Sequence, residues 1–118
     1  MTRRRDEQII HRAVVDHIAW RVHPNVWWCH IPNGGRRSKI EAAILRGQGV
    51  RPRPPDLLIV ADGKAHFLEL KADRGRLSQA QRDCHEQLRR AGAEVATAFG
   101  LDQPLAQLMR WDLLRGAA

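Results

Sequence analysis

Apolar residues recur along this chain at helical spacing in some stretches and at strand spacing in others, with Gly and Pro clusters marking the changes. Between Asp6 and Val22, the residues Ile9, Ile10, Ala13, Val14, His17, Ile18 and Val22 follow helical steps, and Asp6 and Glu7 suit the positive end of a helix dipole. This predicts a first helix behind a basic, frayed start from Met1 to Arg5. After the break at His23-Pro24-Asn25, Val26 to Ile31 reads as a short apolar strand that Pro32-Asn33-Gly34-Gly35 turns. Arg37 to Arg46, with Ile40, Ala43, Ile44 and Leu45, reads as a short second helix, and Gly47 to Pro55 as a basic loop.

The central stretch carries the sharpest pattern. Leu57-Leu58-Ile59-Val60 and Ala65-His66-Phe67-Leu68 are strand-length apolar runs separated by Ala61-Asp62-Gly63-Lys64. Asp-Gly is a strong two-residue hairpin signal, because both central positions of the favoured turn need φ > 0. With Asp62-Gly63 as the loop, Ala61 pairs with Lys64, Val60 with Ala65, and so outward until Asp56 faces Glu69. Strand alternation then places Lys71 on the face of Glu69, and Leu57, Ile59, Leu68 and Leu70 on the other. Downstream, Ser78 is an N-cap for a helix running to about Ala91, with Gly92 just past its end. Its inward candidates are Ala80, Cys84, Leu88 and Ala91. Glu94 to Phe99 alternates as a strand, and Pro104 to Leu114 makes a closing helix.

Two carboxylates opposed across a hairpin are costly. At about 5 Å and an effective dielectric of about 20, their gross repulsion is on the order of 3 kcal/mol, large against marginal fold stability. A hard divalent cation such as Mg²⁺ offsets it, held by one or two carboxylates and keeping exchangeable waters. Lys71 alone compensates only in part. A carboxylate pair with a nearby lysine also occurs in ordinary edge hairpins, so the pattern by itself does not fix a function.

Composition narrows the partner. One domain spanning residues 1–118 is the expectation, with a modest core. The net charge of +7, with Arg well ahead of Lys, points to a polyanion and to bidentate phosphate contact. There is no basic amphipathic helix with a clean apolar face and no lipidation signal, so nucleic acid is preferred to a membrane. Cys29 and Cys84 are too few for a disulfide scaffold, and no secretory signal or long apolar span appears, which makes a cytoplasmic setting the simplest expectation. Each Cys precedes a His, but neighbours on a strand point to opposite faces, which argues against a shared zinc ion at Cys29-His30. Trp20, Trp27, Trp28 and Trp111 are candidates for base stacking, for the core or for an interface.

The flanks of the hairpin add specificity. Ile31-Pro32-Asn33-Gly34-Gly35-Arg36-Arg37, Gly49-Val50-Arg51 leading to Pro55-Asp56, Glu69-Leu70-Lys71, then Gly75-Arg76-Leu77-Ser78 with Gln81 and Leu88-Arg89-Arg90-Ala91-Gly92 closely resemble the VRR-NUC (virus-type replication-repair nuclease) family of the PD-(D/E)XK superfamily. The resemblance runs from about Asp6 to Phe99, and departs from the family where Arg53-Pro54 replaces a small residue ahead of the Pro-Asp step. It implies an α/β restriction-endonuclease-like αβββαβ core with a mixed sheet, and a metal-dependent DNA endonuclease using Mg²⁺ or Mn²⁺.

Under that resemblance Asp56 and Glu69 are metal ligands together with the Leu70 carbonyl, and Glu7 is a third acid, direct or through water. Lys71 orients or deprotonates the attacking water or contacts the scissile phosphate, and Gln81 matches a glutamine at the family's active site. The residue-level alternatives are a helix-dipole carboxylate for Glu7 and a solvated helix residue for Gln81. Asn33, Arg36, Arg37, Lys39, Arg51, Arg53, Arg74 and Arg76 flank the site as candidate DNA contacts. The expected substrate is branched or duplex DNA, with a four-way junction brought in by the resemblance alone. One site per chain makes a homodimer the expectation for two-strand cutting. The rival readings are a monomeric nicking or flap nuclease and a catalytically idle nucleic-acid-binding module.

Overall fold

The computed structural model of the chain describes residues 3–32 and 37–116, with side chains from Arg5 onward. Its elements run α1 (Arg3–Arg21), β1 (Trp27–His30), α2 (Lys39–Gly47), β2 (Leu57–Ala61), β3 (Lys64–Lys71), α3 (Gln79–Arg90), β4 (Glu94–Phe99) and α4 (Asp102–Arg110). Without α2 and α4 this is the αβββαβ order. The strands form one sheet in the order β1-β2-β3-β4. The first two pairings are antiparallel and β3–β4 is parallel. A parallel neighbour needs a crossover of a dozen or more residues, which α3 supplies.

The turn behaves as its residues dictate. Asp62 and Gly63 take φ of 51° and 75°, and the ladder runs from Ala61↔Lys64 to Leu57↔Leu68. With the register set, Leu57, Ile59, Leu68 and Leu70 fall on one face and bury against Val14 and Ile18 of α1 and Leu108 of α4. Leu113 and Leu114, just past α4, complete this core. There Leu114 bridges to Val22 and the Leu113 carbonyl accepts from the His23 N–H, so the tail is tied to the end of α1.

Element ends differ from the sequence reading for local reasons. The first helix starts at Arg3, not after a frayed run to Arg5. The second starts at Lys39, because the Ser38 side chain accepts from the Glu41 N–H and caps it there. The last starts at Asp102, with Pro104 in the first turn, where no intrahelical N–H is needed. In α3 the inward stripe is Gln81, Cys84, His85 and Leu88, whereas Ala80 and Ala91 are exposed. Polar residues occupy this stripe because α3 lies over the sheet face that carries Glu69. Of the tryptophans, Trp28 and Trp111 pack on the core, while Trp20 and Trp27 are exposed.

Leu68 is fully buried at the centre of the apolar face. Leu68→Ala is expected to cost about 2–5 kcal/mol in chemical denaturation with little change in slope. A loss below about 1 kcal/mol would mean that this face is not the core.

Candidate active site

The hairpin ladder stops one pair short of the acids, and Pro55 and the Asp56 side chain stand where the next rung would form. In an antiparallel pair, alternate residues exchange both N–H and C=O with their partners. By that alternation the next bonded pair after Leu57↔Leu68 is Pro55 with Leu70, but Pro55 has no N–H to donate. The Leu70 N–H, which regular pairing would give to the Pro55 carbonyl, bonds to Asp56 Oδ2 at 2.7 Å. By the same alternation the Leu70 carbonyl faces the strand of Pro55, which has no N–H to offer it. Asp56 is anchored from behind as well: its carbonyl accepts from the Ile31 N–H and from His30 Nδ1, each at 2.8 Å. A carbonyl only accepts, so the His30 proton sits on Nδ1.

Glu69 stands close enough to Asp56 for the two carboxyl groups to act on each other. It is only 2% exposed, because α3 covers it. His85 Nε2 lies 3.1 Å from Glu69 Oε1, and Gln81 Nε2 donates to Oε2 at 3.5 Å. Gln81 is held at its other end by the helix cap, with its Oε1 accepting from the Ser78 N–H at 2.8 Å while Ser78 Oγ accepts from the Gln81 N–H. Burial, above all, pushes the Glu69 carboxyl up to about 7; the His85 hydrogen bond opposes this, and neighbouring Asp56 adds to it.

On the other side of Asp56 a pocket of about 670 Å³ opens between α1 and the ends of β1 and β2. Glu7, His11, His30, Arg53 and Asp56 line it, so Glu7 and Asp56 share one cavity. His11 follows Glu7 by one helical turn, and its ring meets that of His30 edge-on at 4.4 Å between centroids. Burial first, and His30 second, hold the His11 imidazole below its ordinary range, with Asp56 acting the other way.

Lys71 is half-buried on the Glu69 side of β3 and does not line this pocket. Its carbonyl accepts from the Gly100 N–H, and its aliphatic stem passes close to Gly75, where an added Cβ would lie 3.2 Å from Lys71 Cβ. The basic candidates separate. Arg53, at a φ of 59°, faces the pocket. Arg51 bonds Gln87 Oε1 on α3 at 2.7 Å, and Arg74 borders a different cavity, beside Asp73 and Gly100. Arg37, Lys39 and Arg76 are exposed. Asn33 and Arg36 lie outside the described residues.

Comparison with known proteins bears on this arrangement. The VRR-NUC domain model matches residues 7–100. The chain belongs to the VRR-NUC family. Two solved structures share the fold. One, a VRR-NUC domain protein, is 21% identical with a TM-score of 0.68, the match covering 89% of this chain and 86% of that one. The other, a VRR-NUC domain, is 19% identical with a TM-score of 0.58, covering 89% and 95%. No curated protein sequence gives a match. VRR-NUC membership makes this a nuclease domain of the PD-(D/E)XK type.

Three histidines of this VRR-NUC chain stand at the site without having been expected there from sequence: His11, His30 and His85. Only His85 left a usable signal, standing four residues after Gln81 and so on the same helix face. Gln81 and His85 of α3 supply part of the compensation that the opposed acids demand.

A raised carboxyl pKa favours the folded state at low pH. The contribution is full below the ordinary value of 4.5 and is lost as pH rises through about 7. In chelator, wild-type stability should therefore fall by up to about 3 kcal/mol across that window, and Glu69→Gln should abolish most of the fall. Identical pH slopes in denaturant titrations of the two proteins would show that Glu69 is not the group responsible.

Proposed function

We propose that the chain is a Mg²⁺- or Mn²⁺-dependent endodeoxyribonuclease that cuts branched or duplex DNA as a homodimer. The juxtaposition of Asp56 and Glu69 just past the end of the hairpin ladder, with Asp56 bonded to the Leu70 N–H, supports this reading. Among the described residues no three His, Cys, Asp or Glu side chains are grouped to hold a metal. Two carboxylates and a main-chain oxygen, with water filling the remaining positions, nevertheless fit Mg²⁺, which is bound in that sparse manner. The cation would neutralise charge on the non-bridging phosphate oxygens and ease departure of the leaving oxyanion.

The chain's own groups divide the remaining work. Asp56 and Glu69 would hold the cation, and Glu7, which shares a pocket with Asp56, would serve as a further acid for it. Gln81 orients Glu69. Lys71 positions the attacking water or contacts the scissile phosphate. Arg53 meets DNA at the pocket mouth, while Arg37, Lys39, Arg74 and Arg76, with Asn33 and Arg36, extend the backbone contact. Arg51 is the weakest of the set, since its guanidinium already serves Gln87.

Dimer formation is supported by apolar surface left uncovered. Ile40 and Ile44 on α2 are 74% and 55% exposed, and Trp27 on the edge strand β1 is 60% exposed. Pairing two copies would bury such area and supply a site for each strand. No helix among the described residues is long and apolar enough to cross a membrane.

Purified protein incubated with supercoiled plasmid and a labelled four-way junction, in Mg²⁺, Mn²⁺ or chelator, tests the reaction. Cleavage only with cation, lost in Asp56→Asn and Glu69→Gln, is expected; wild-type turnover in either variant removes the site. Log affinity for DNA should fall steeply with log salt, and Arg37→Ala or Arg53→Ala should flatten the slope by up to about one unit each. An affinity indifferent to salt would point to a non-polyanionic partner. Sedimentation should show a dimer near micromolar concentration, with paired nicks in the junction. A monomer that cuts one strand would replace the dimer with a nickase.

A further inference from the structure

His85 is 1% exposed, and its ring reaches Glu69 from the middle of α3, one turn beyond Gln81. The two side chains meet opposite oxygens of one carboxylate, His85 at Oε1 and Gln81 at Oε2. Gln81 cannot do this alone. At 3.5 Å its bond is long, and its amide is already fixed by the helix cap. We propose that His85 is a positioning residue that presents Glu69 to a divalent cation. It donates from Nε2 to Oε1 and so keeps the carboxylate turned toward Asp56, with its remaining lone pairs free for the metal.

The inference rests on the metal-site reading above, and adds to it a residue that would not touch the cation. Outer partners that orient a metal-binding group commonly change affinity by about 10–100-fold when removed. Without His85, Glu69 keeps only the long bond from Gln81, and its side chain can swing away from Asp56. His85 removes that freedom by holding Oε1 at 3.1 Å.

Mn²⁺ binding followed by the paramagnetic resonance of the free ion tests this without DNA and without turnover. The variants His85→Gln and His85→Asn are both polar and uncharged, but only Gln places an amide N–H where Nε2 stands. Wild type and His85→Gln are expected to bind Mn²⁺ within about threefold of each other, and His85→Asn about 10–100-fold more weakly with an unchanged circular-dichroism spectrum. Equal affinity in all three overturns the role of His85 while leaving the metal site in place. No binding by wild type removes the metal-site reading itself, and with it this inference. Should His85→Asn not fold, the wild-type protein decides the matter: the ¹⁵N resonance of His85 Nε2 is expected to move on adding Mg²⁺, and a resonance indifferent to saturating Mg²⁺ overturns the proposal.

Discussion

A two-residue loop closing at Ala61 and Lys64 leaves the strands that flank it no freedom of register. Because side chains alternate, a slip of one residue would send Leu57, Ile59, Leu68 and Leu70 to the wrong face, and the core formed with Val14, Ile18 and Leu108 would be lost. The apolar face thus holds the register, and the register brings Asp56 to Glu69. Burial energy on one side of the sheet maintains a like-charge contact on the other. The site is costly locally and supported from a distance, as is usual where a fold keeps functional groups together.

The helix on the acidic side resolves the conflict in its own way. An amphipathic helix normally turns aliphatic residues inward, yet α3 turns Gln81 and His85 toward the sheet because a buried carboxyl needs donors. Its capping box does two jobs, since the residue that closes the first turn also reaches the acid. Local helix chemistry and site geometry share one amide group.

What could be read from the chain follows from the range of each force. The hairpin, its register and the N-cap at Ser78 are decided by neighbours in sequence, and the Asp-Gly turn and the Ser78 cap stand where the residues place them. The order of the elements followed from the flanking motifs. Apolarity finds Cys84 and Leu88 on the inward stripe of α3 but adds Ala80 and Ala91 and misses His85, because the partner across the interface is Glu69, fifteen or so residues away in sequence and on another element. His11 and His30 come from α1 and β1, and nothing in either segment announces that the two rings meet. Neither Glu69 nor Lys71, which share a strand face, lines the cavity that Asp56 shares with Glu7, a division set by α1 and α3 packing on different parts of the sheet.

Pro55 shows why better folding and better chemistry diverge here. Any other residue at that position would carry an N–H that regular antiparallel alternation matches to the Leu70 carbonyl. A sheet optimised for regularity would therefore consume an oxygen that proline cannot pair. The imino acid acts as a stop, and the irregularity it enforces is a local shortfall in backbone pairing retained beside the acids. Selection for thermal robustness alone would tend to erase this gap, so a stabilised descendant of this fold should be examined first at the end of its hairpin.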